Sequence, residues 1–449
     1  MKNCGTLPAS ILTPSILVSP LLAVALALGT VVMFPGSTFA AERVIHTFTG
    51  GKDGIGSNDL IADRAGNLYG TTFNGGGSAG AGTVYELSPP TQQGGAWTET
   101  ILYSFSYALL GNGIGPKAGL AMDSAGNLFG TTWLGGPAGG GLVFELSPPP
   151  QKGGAWTYSL LYDFSAPNDG YSPQARLLLD HAGNLYGTTT AGGTGGCAGG
   201  CGGVFKLAPP AQPGGAWNET VLFNFSGTFE TGGGTSGGLT MDERGALYGT
   251  TYSGSGGQSG TVFRLTPPRT VGKHWAHTVL YAFAGGADGT APEAEVVFDK
   301  NGNLYGTTNY GGNGGPNCFG TSCGTVFQLT STPNGPWTHT LLYSFNGGTD
   351  GGYGYAGPAL TLDTAGNLYG TTPIGGDPTC GGGTGCGTVF RLTPPPVQGG
   401  SWTETILHRF AGGSDGAGPG GLTFGKGDLL YGPAGAGADN DGLVFLITP

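Results

Sequence analysis

The sequence predicts an all-β fold, a seven-bladed β-propeller of four-stranded blades, and three observations carry that prediction. The word Gly-Asn-Leu-Tyr-Gly recurs with a period of about 60 residues, the mark of a repeat architecture. It begins at Gly66 and returns at Gly126 (with Phe129 in the Tyr place), Gly183, Gly245 (with Ala246 for Asn), Gly302 and Gly366, with a degenerate copy at Gly427. Two further words follow in phase: Gly-Thr-Val-Phe-x-Leu, first at 82–87, and a Trp-led segment starting near Trp97, Trp156, Trp217, Trp275, Trp337 and Trp402. The last unit lacks its Trp-led segment, and Val44-Ile45-His46-Thr47-Phe48 supplies the matching stretch at the opposite end of the chain. A last blade built from both ends closes a ring and removes a sticky sheet edge, which a linear β-solenoid has no use for.

Composition excludes the competing classes. With 96 Gly and 31 Pro among 449 residues the chain first reads as low-complexity, yet 38% of residues are apolar and only 10% charged, too much apolar surface and too little charge for a solvated disordered chain. Helical bundles do not tolerate this much Gly. Collagen fails because Gly does not recur every third residue. The formal net charge of −11 argues against a nucleic-acid partner or an anionic membrane surface.

Residues 1–40 carry one charge, Lys2, then an apolar stretch from Ile16 to Phe34, then Gly36-Ser37-Thr38-Phe39-Ala40. That layout predicts a secretory signal peptide cleaved after Ala40, with an uncleaved membrane anchor as the rival reading. Residues 41–449 are then a single propeller domain, expected to be secreted, monomeric and without membrane insertion.

Each unit reads as four strands, in the second unit 119–123, 127–132, 142–146 and 156–164, rich in aromatic and β-branched residues and bounded by Gly, Pro, Asn or Asp. Strict alternation along 97–105 places Trp97, Ile101, Tyr103 and Phe105 on one face and Leu102 on the other. Both faces carry bulk, so each sheet needs a neighbour on both sides. Gly70 and its equivalents sit inside the second strand, where the close approach of another backbone is expected.

The words Gly-Asn-Leu-Tyr-Gly-Thr-Thr and Gly-Thr-Val-Phe, with the Gly-Gly-x-Asp-Gly connections, resemble the tandem repeat called GloVer of bacterial secreted choice-of-anchor proteins. The resemblance spans nearly all of 44–447 and implies an exported bacterial repeat protein. It implies no catalytic residues.

Strand order assigns the loops to two ends. The Asp-x-x-Gly-Asn turns (Asp63, Asp123, Asp180, Asp242, Asp299, Asp363) and the Pro-rich connections share the bottom, where the repeats hardly differ. These Asp residues are read as turn caps rather than calcium ligands. The top carries the divergence, and divergent loops on a rigid scaffold are where function is grafted. Three local cysteine pairs lie there, Cys197 with Cys201, Cys318 with Cys323, and Cys380 with Cys386, read as intraloop disulfides in an exported protein. Phe73, Trp133, Tyr252 and Tyr310 leave the second strands toward the same end, and Tyr107, Tyr171, Phe229, Tyr353 and Tyr355 lie in the interblade connections. Such rings serve either as covers for blade edges or as platforms for a sugar or peptide.

Asp53, Asp169, Asp288, Asp350 and Asp415 occupy Asp-Gly turns of the top face. With Asp439 and Asp441 they offer an acidic mouth or a calcium site at the last blade. No other cofactor is expected. His46, His274, His277, His339 and His408 fall in or just before outer strands and His181 in a bottom turn, so no metal ligand or acid–base residue is assigned. Gly234-Thr235-Ser236-Gly237-Gly238 matches the Gly-x-Ser-x-Gly pattern but lacks its strand-to-helix context. The leading expectation is a non-enzymatic protein that binds a carbohydrate or cell-envelope component through Phe73, Trp133, Tyr252, Tyr310, Asp169 and Asp288. Two alternatives stand beside it: a polysaccharide lyase or hydrolase using top-face carboxylates such as Asp169 and Asp288, and a structural envelope or matrix protein.

Overall fold

The repeated words fold into repeated strands. In blade 2 the chain runs through Ala121–Met122, Leu128–Thr132, Leu142–Ser147 and Thr157–Asp163, an antiparallel meander from the channel outward. A computed structural model describes residues 42–449 except 78, 93, 152, 166–168, 194–195, 198, 213, 229, 255–258, 271, 315–322, 332–334, 353–358, 398 and 437–440. Seven such sheets are present, and the last is completed by Glu42–Thr47, which pairs antiparallel with Leu443–Ile447. The fold is therefore an all-β, seven-bladed propeller whose ring is closed by the N-terminal strand. First strands are shorter than the sequence predicts, only two residues in each blade's meander; the segment before each one pairs again with the far end of the second strand, as Ile55–Ser57 and Ala417–Pro419 do and as single bridges do in the other blades.

The core is seven interblade layers rather than one centre. Leu102 and Phe105 of blade 1 pack on Leu128, Leu142 and Phe144 of blade 2, and the other interfaces repeat this pattern. Inside each second strand a glycine faces an aromatic residue of the third: Gly130 pairs with Phe144, and a Cβ on Gly130 would lie 2.5 Å from Phe144 Cζ. What approaches these glycines is an aromatic ring, not the backbone expected from the sequence, and the ring fills the place of the missing side chain.

The two threonines after that glycine divide the work of joining blades. The first donates across the interface, as Thr71 Oγ1 does to the Ala118 carbonyl (2.9 Å) and Thr371 Oγ1 to that of Gly420 (2.8 Å). The second pairs with a hydroxyl inside its own blade, Thr72 with Thr83 at 2.9 Å. All four are buried, where an unpaired hydroxyl would be costly.

The outer strands depart from strict alternation. Pairing skips one residue between Ile101 and Tyr103, and equivalent skips occur in the other blades, so a β-bulge sits at Leu102. A bulge re-aims every side chain that follows it. Trp97 and Ile101 consequently pack toward blade 7, while Tyr103 and Phe105 pack toward blade 2, not on one face.

Candidate functional site

The segments that enter the first strands line a cavity of about 560 Å³ on the channel axis. Its walls come from several blades at two registers. One residue before the buried Leu60, Leu120, Leu177, Leu239, Val296, Leu360 and Leu422 stand Asp59, Gly119, Arg176, Gly238, Glu295, Ala359 and Gly421. Two residues further up stand Lys117, Gln174, Ser236 and Glu293. Small residues alternate with charged ones for a steric reason. A Cβ on Gly238 would lie 2.6 Å from Glu295 Oε2, and one on Gly421 2.7 Å from Asp59 Oδ1.

The polar groups are connected. Arg176 Nη2 donates to both Glu295 oxygens at 3.0 and 3.3 Å, spanning blades 3 and 5. The charges of Glu295 and Asp59 hold the guanidinium above its ordinary pKa. This pair also borders a second cavity of about 260 Å³ below, lined largely by Leu, Ile, Ala and Met, so it stands between a polar mouth and an apolar shaft. Asp59 Oδ1 accepts from the Gly421 backbone N–H at 2.8 Å. Asn309 donates to Glu293 Oε2 at 2.7 Å, and burial pushes the Glu293 carboxyl above the usual carboxylate range.

Lys117 joins this cavity to the aromatic residues expected from the sequence. Its ammonium lies 3.7 Å from the Trp133 ring centroid and 5.4 Å from that of Phe73, and donates to Gln174 Oε1 at 3.4 Å. Phe73 and Trp133 are themselves 6.4 Å apart. Burial lowers the lysine's pKa, and the ring faces supply a compensating electrostatic attraction. Gln174 in turn donates to Thr190 Oγ1 at 3.1 Å, so a polar chain runs from Trp133 to blade 3.

The other sequence-derived candidates are placed elsewhere. Tyr252 occupies the Phe73 and Trp133 register in blade 4 and is 44% exposed. Tyr310 does not. Asn309 is the counterpart of Trp133, and Tyr310 follows it, its backbone bridged to Thr290, so that strand alternation turns its side chain the other way. Asp169 and Asp288 stand over the outer strands, outside the cavity lining. Asp169 accepts from Tyr162 Oη (2.9 Å) and the Ser165 N–H (3.1 Å), Asp288 from Tyr281 Oη (2.6 Å) and the Ala284 N–H (2.7 Å). Tyr107 is half exposed, and Tyr171 donates to the Gly199 carbonyl at 2.8 Å. Phe229, Tyr353, Tyr355, Asp439 and Cys318 lie outside the described residues.

Cys197 is bonded to Cys201 and Cys380 to Cys386, with Cα separations of 5.1 and 5.5 Å, and Cys323 is also disulfide-bonded. At the bottom the turn aspartates are saturated by their own turns. Asp180 accepts from Asn184 N (2.8 Å), Asn184 Nδ2 (2.7 Å) and Tyr186 Oη (3.1 Å).

The sequence profile of the Gloeobacter/Verrucomicrobia repeat matches residues 57–321 and 276–449, and the chain belongs to that family of repeat proteins. None of the curated protein sequences matches it. Among solved structures it is similar to a Bacteroides uniformis protein assigned as a 6-phosphogluconolactonase (14% identity, 86% of this chain and 92% of that one, TM-score 0.52). It is also similar to a Thermus thermophilus protein assigned as a glucose dehydrogenase (15%, 74% and 96%, TM-score 0.41) and to a luciferin-regenerating enzyme (11%, 91% and 95%, TM-score 0.43). At these identities the likeness is one of fold alone.

Proposed function

We propose that the chain is an exported protein that binds a carbohydrate at the top mouth of its channel. The observation that carries this reading is the convergence of Lys117 on Trp133 and Phe73, Gln174, Glu293 and the Arg176–Glu295 pair on one cavity of about 560 Å³. Donors (Lys117, Arg176) and acceptors (Asp59, Glu293, Glu295) face one cavity, as the hydroxyls of a sugar require, and Trp133 and Phe73 beside Lys117 supply apolar contact. An overall charge of −11 disfavours strongly anionic polymers. Export rests on the signal-like residues 1–40 together with the disulfides.

A glycan array followed by calorimetry on the best ligand tests the proposal. Trp133→Ala and Arg176→Ala are each expected to weaken binding at least tenfold, while Asp169→Asn leaves it unchanged. Binding that survives both channel substitutions, or no glycan bound, would falsify the reading. A second reading, cleavage of the bound carbohydrate, is favoured by one group: Glu293, whose raised pKa suits a general acid. In that case Glu293→Gln abolishes turnover and retains binding.

A further inference from the structure

The outer rim holds a repeated position that the channel does not use. Because of the bulge, the third residue of each Trp-led strand faces the preceding blade, and the seventh residue of that blade's strand faces back. At five of the seven interfaces an Asp of the connecting turn (Asp53, Asp169, Asp288, Asp350 or Asp415) closes the group. At most interfaces these positions are filled by rings or a hydrogen bond: Tyr103 stacks on Tyr158 (4.5 Å), Phe223 on His277 (4.4 Å), Tyr281 on His339 (4.4 Å), and Tyr343 donates to Glu404 Oε2 (2.8 Å). At the two interfaces that flank the closing strand they hold imidazole and carboxylates instead. His46, Asp53 and Glu99 meet between blades 7 and 1, and Glu42, His408 and Asp415 between blades 6 and 7, the donor atoms of each trio lying within 4.8 Å of one another.

We propose that each trio is a binding site for a divalent transition ion of the zinc class, so that two ions fasten the N-terminal strand to both of its neighbours. In the first site His46 Nε2 and Glu99 Oε1 stand 3.6 Å apart, both cut off from solvent and neither with a hydrogen-bond partner. That separation is too long for a hydrogen bond and close to the ~3.4 Å expected between two ligands of one tetrahedral zinc ion. In the second site Glu42 Oε1 is likewise buried and unpartnered, while His408 Nε2 is hydrogen-bonded to Asp415 Oδ1 at 3.1 Å, a contact that a bound ion would replace. Turn backbone fixes the aspartates from behind: Thr49 N donates to Asp53 Oδ2 (2.6 Å) and Ala411 N to Asp415 Oδ2 (2.6 Å), the outer-shell support a ligating carboxylate needs. Two carboxylates and one neutral imidazole cancel a 2+ charge and leave one position for water. Calcium is the wrong occupant, since it takes six or more oxygen ligands. Binding adds no chemistry at the channel; it makes ring closure metal-dependent.

The test uses the full chain freed of metal by chelation, then titrated with zinc chloride by calorimetry and with cobalt(II) by visible absorption. One ion per trio is expected, with tetrahedral cobalt bands and a thermal midpoint raised by several degrees. His46→Ala and His408→Ala should each remove one ion, and the double variant both. Glu99→Gln, which keeps the shape of the site, covers the case in which a histidine variant fails to fold, and it should weaken its site at least tenfold. No zinc uptake, uptake unchanged in these variants, or an equal midpoint rise with calcium chloride would each overturn the proposal.

Discussion

The bottom turns and the channel mouth descend from the same sixty-residue unit and use its sevenfold repetition in opposite ways. At the bottom each Asp is consumed by its own turn, its oxygens accepting from backbone N–H groups, from an Asn amide except at Asp242, where Ala246 replaces the Asn, and, in blades such as the third, from a Tyr hydroxyl. At the mouth a single register reads Asp, Gly, Arg, Gly, Glu, Ala, Gly around the ring, and its charges reach across to other blades. The lesson is that a hydrogen bond repeated from unit to unit is scaffold, whether it closes within its own turn as at Asp180 or joins blades as at Thr71, and that a charge occurring at only a few positions of a register is where this protein differs from a generic propeller.

The comparison breaks first if a repeated position proves dispensable. Phe144 is fully buried, fills the space over Gly130, and packs on Phe105 of blade 1 at 5.3 Å. Phe144→Ala removes the ring from two blades at once and leaves a cavity that a closed ring of sheets has little freedom to collapse. The expected cost is ~3–5 kcal/mol by denaturant unfolding. A loss below about 1 kcal/mol would show that blades carry slack and that repetition is not a measure of structural need.

A smaller effect sharpens the bottom half. Asp180→Ala deletes four acceptor contacts in a half-buried turn and is expected to cost ~1–2 kcal/mol. Burial alone would raise the pKa of Asp180, but the hydrogen bonds from Asn184 and Tyr186 outweigh it and hold the carboxyl below its ordinary value. Its stabilisation is therefore present above the unfolded-state pKa and lost as the pH falls through the depressed folded-state value. The wild-type and Asp180→Ala midpoints should converge in strong acid, read by thermal unfolding across the pH range; a gap constant with pH would assign the loss to packing instead.

The fold was legible because repetition averages out local ambiguity: Leu-Tyr-Gly-Thr-Thr is a weak strand signal once and a strong one when it recurs in phase. The closing strand was legible from Val44–Phe48 alone. The bulge at Leu102 was not, since one residue too many in a ladder is defined by the partner strand, and Ile101-Leu102-Tyr103 alternates acceptably in isolation. Phe73 and Trp133 were found as exposed-end aromatics, but their companion Lys117 was missed. Tyr310 was placed one residue out of phase with them. Arg176 and Glu295, with Asp59, left a readable trace, charges at a register otherwise held by Gly or Ala, one residue before a buried aliphatic. That trace means something only when the register faces a channel. Asp169 and Asp288 looked functional because turn loops diverge, and their hydrogen bonds return to their own strand ends.

The finest test lies at the mouth. Arg176 and Glu295 pair at the channel mouth with 44% and 14% of their side chains accessible. If the mouth is free of structural duty, replacing both groups together by Arg176→Met and Glu295→Gln should change stability by less than about 1 kcal/mol, as for other solvated pairs, because neither charge is left stranded. Arg176→Met alone leaves the less accessible Glu295 carboxylate unpaired beside Asp59 and Glu293, and should cost more than the double change. That ordering, measured as a double-mutant cycle in denaturant, separates a pair kept for a ligand from one that holds blades 3 and 5 together. A double variant less stable than either single one would make the pair a structural tie and move the mouth into the same class as the bottom turns.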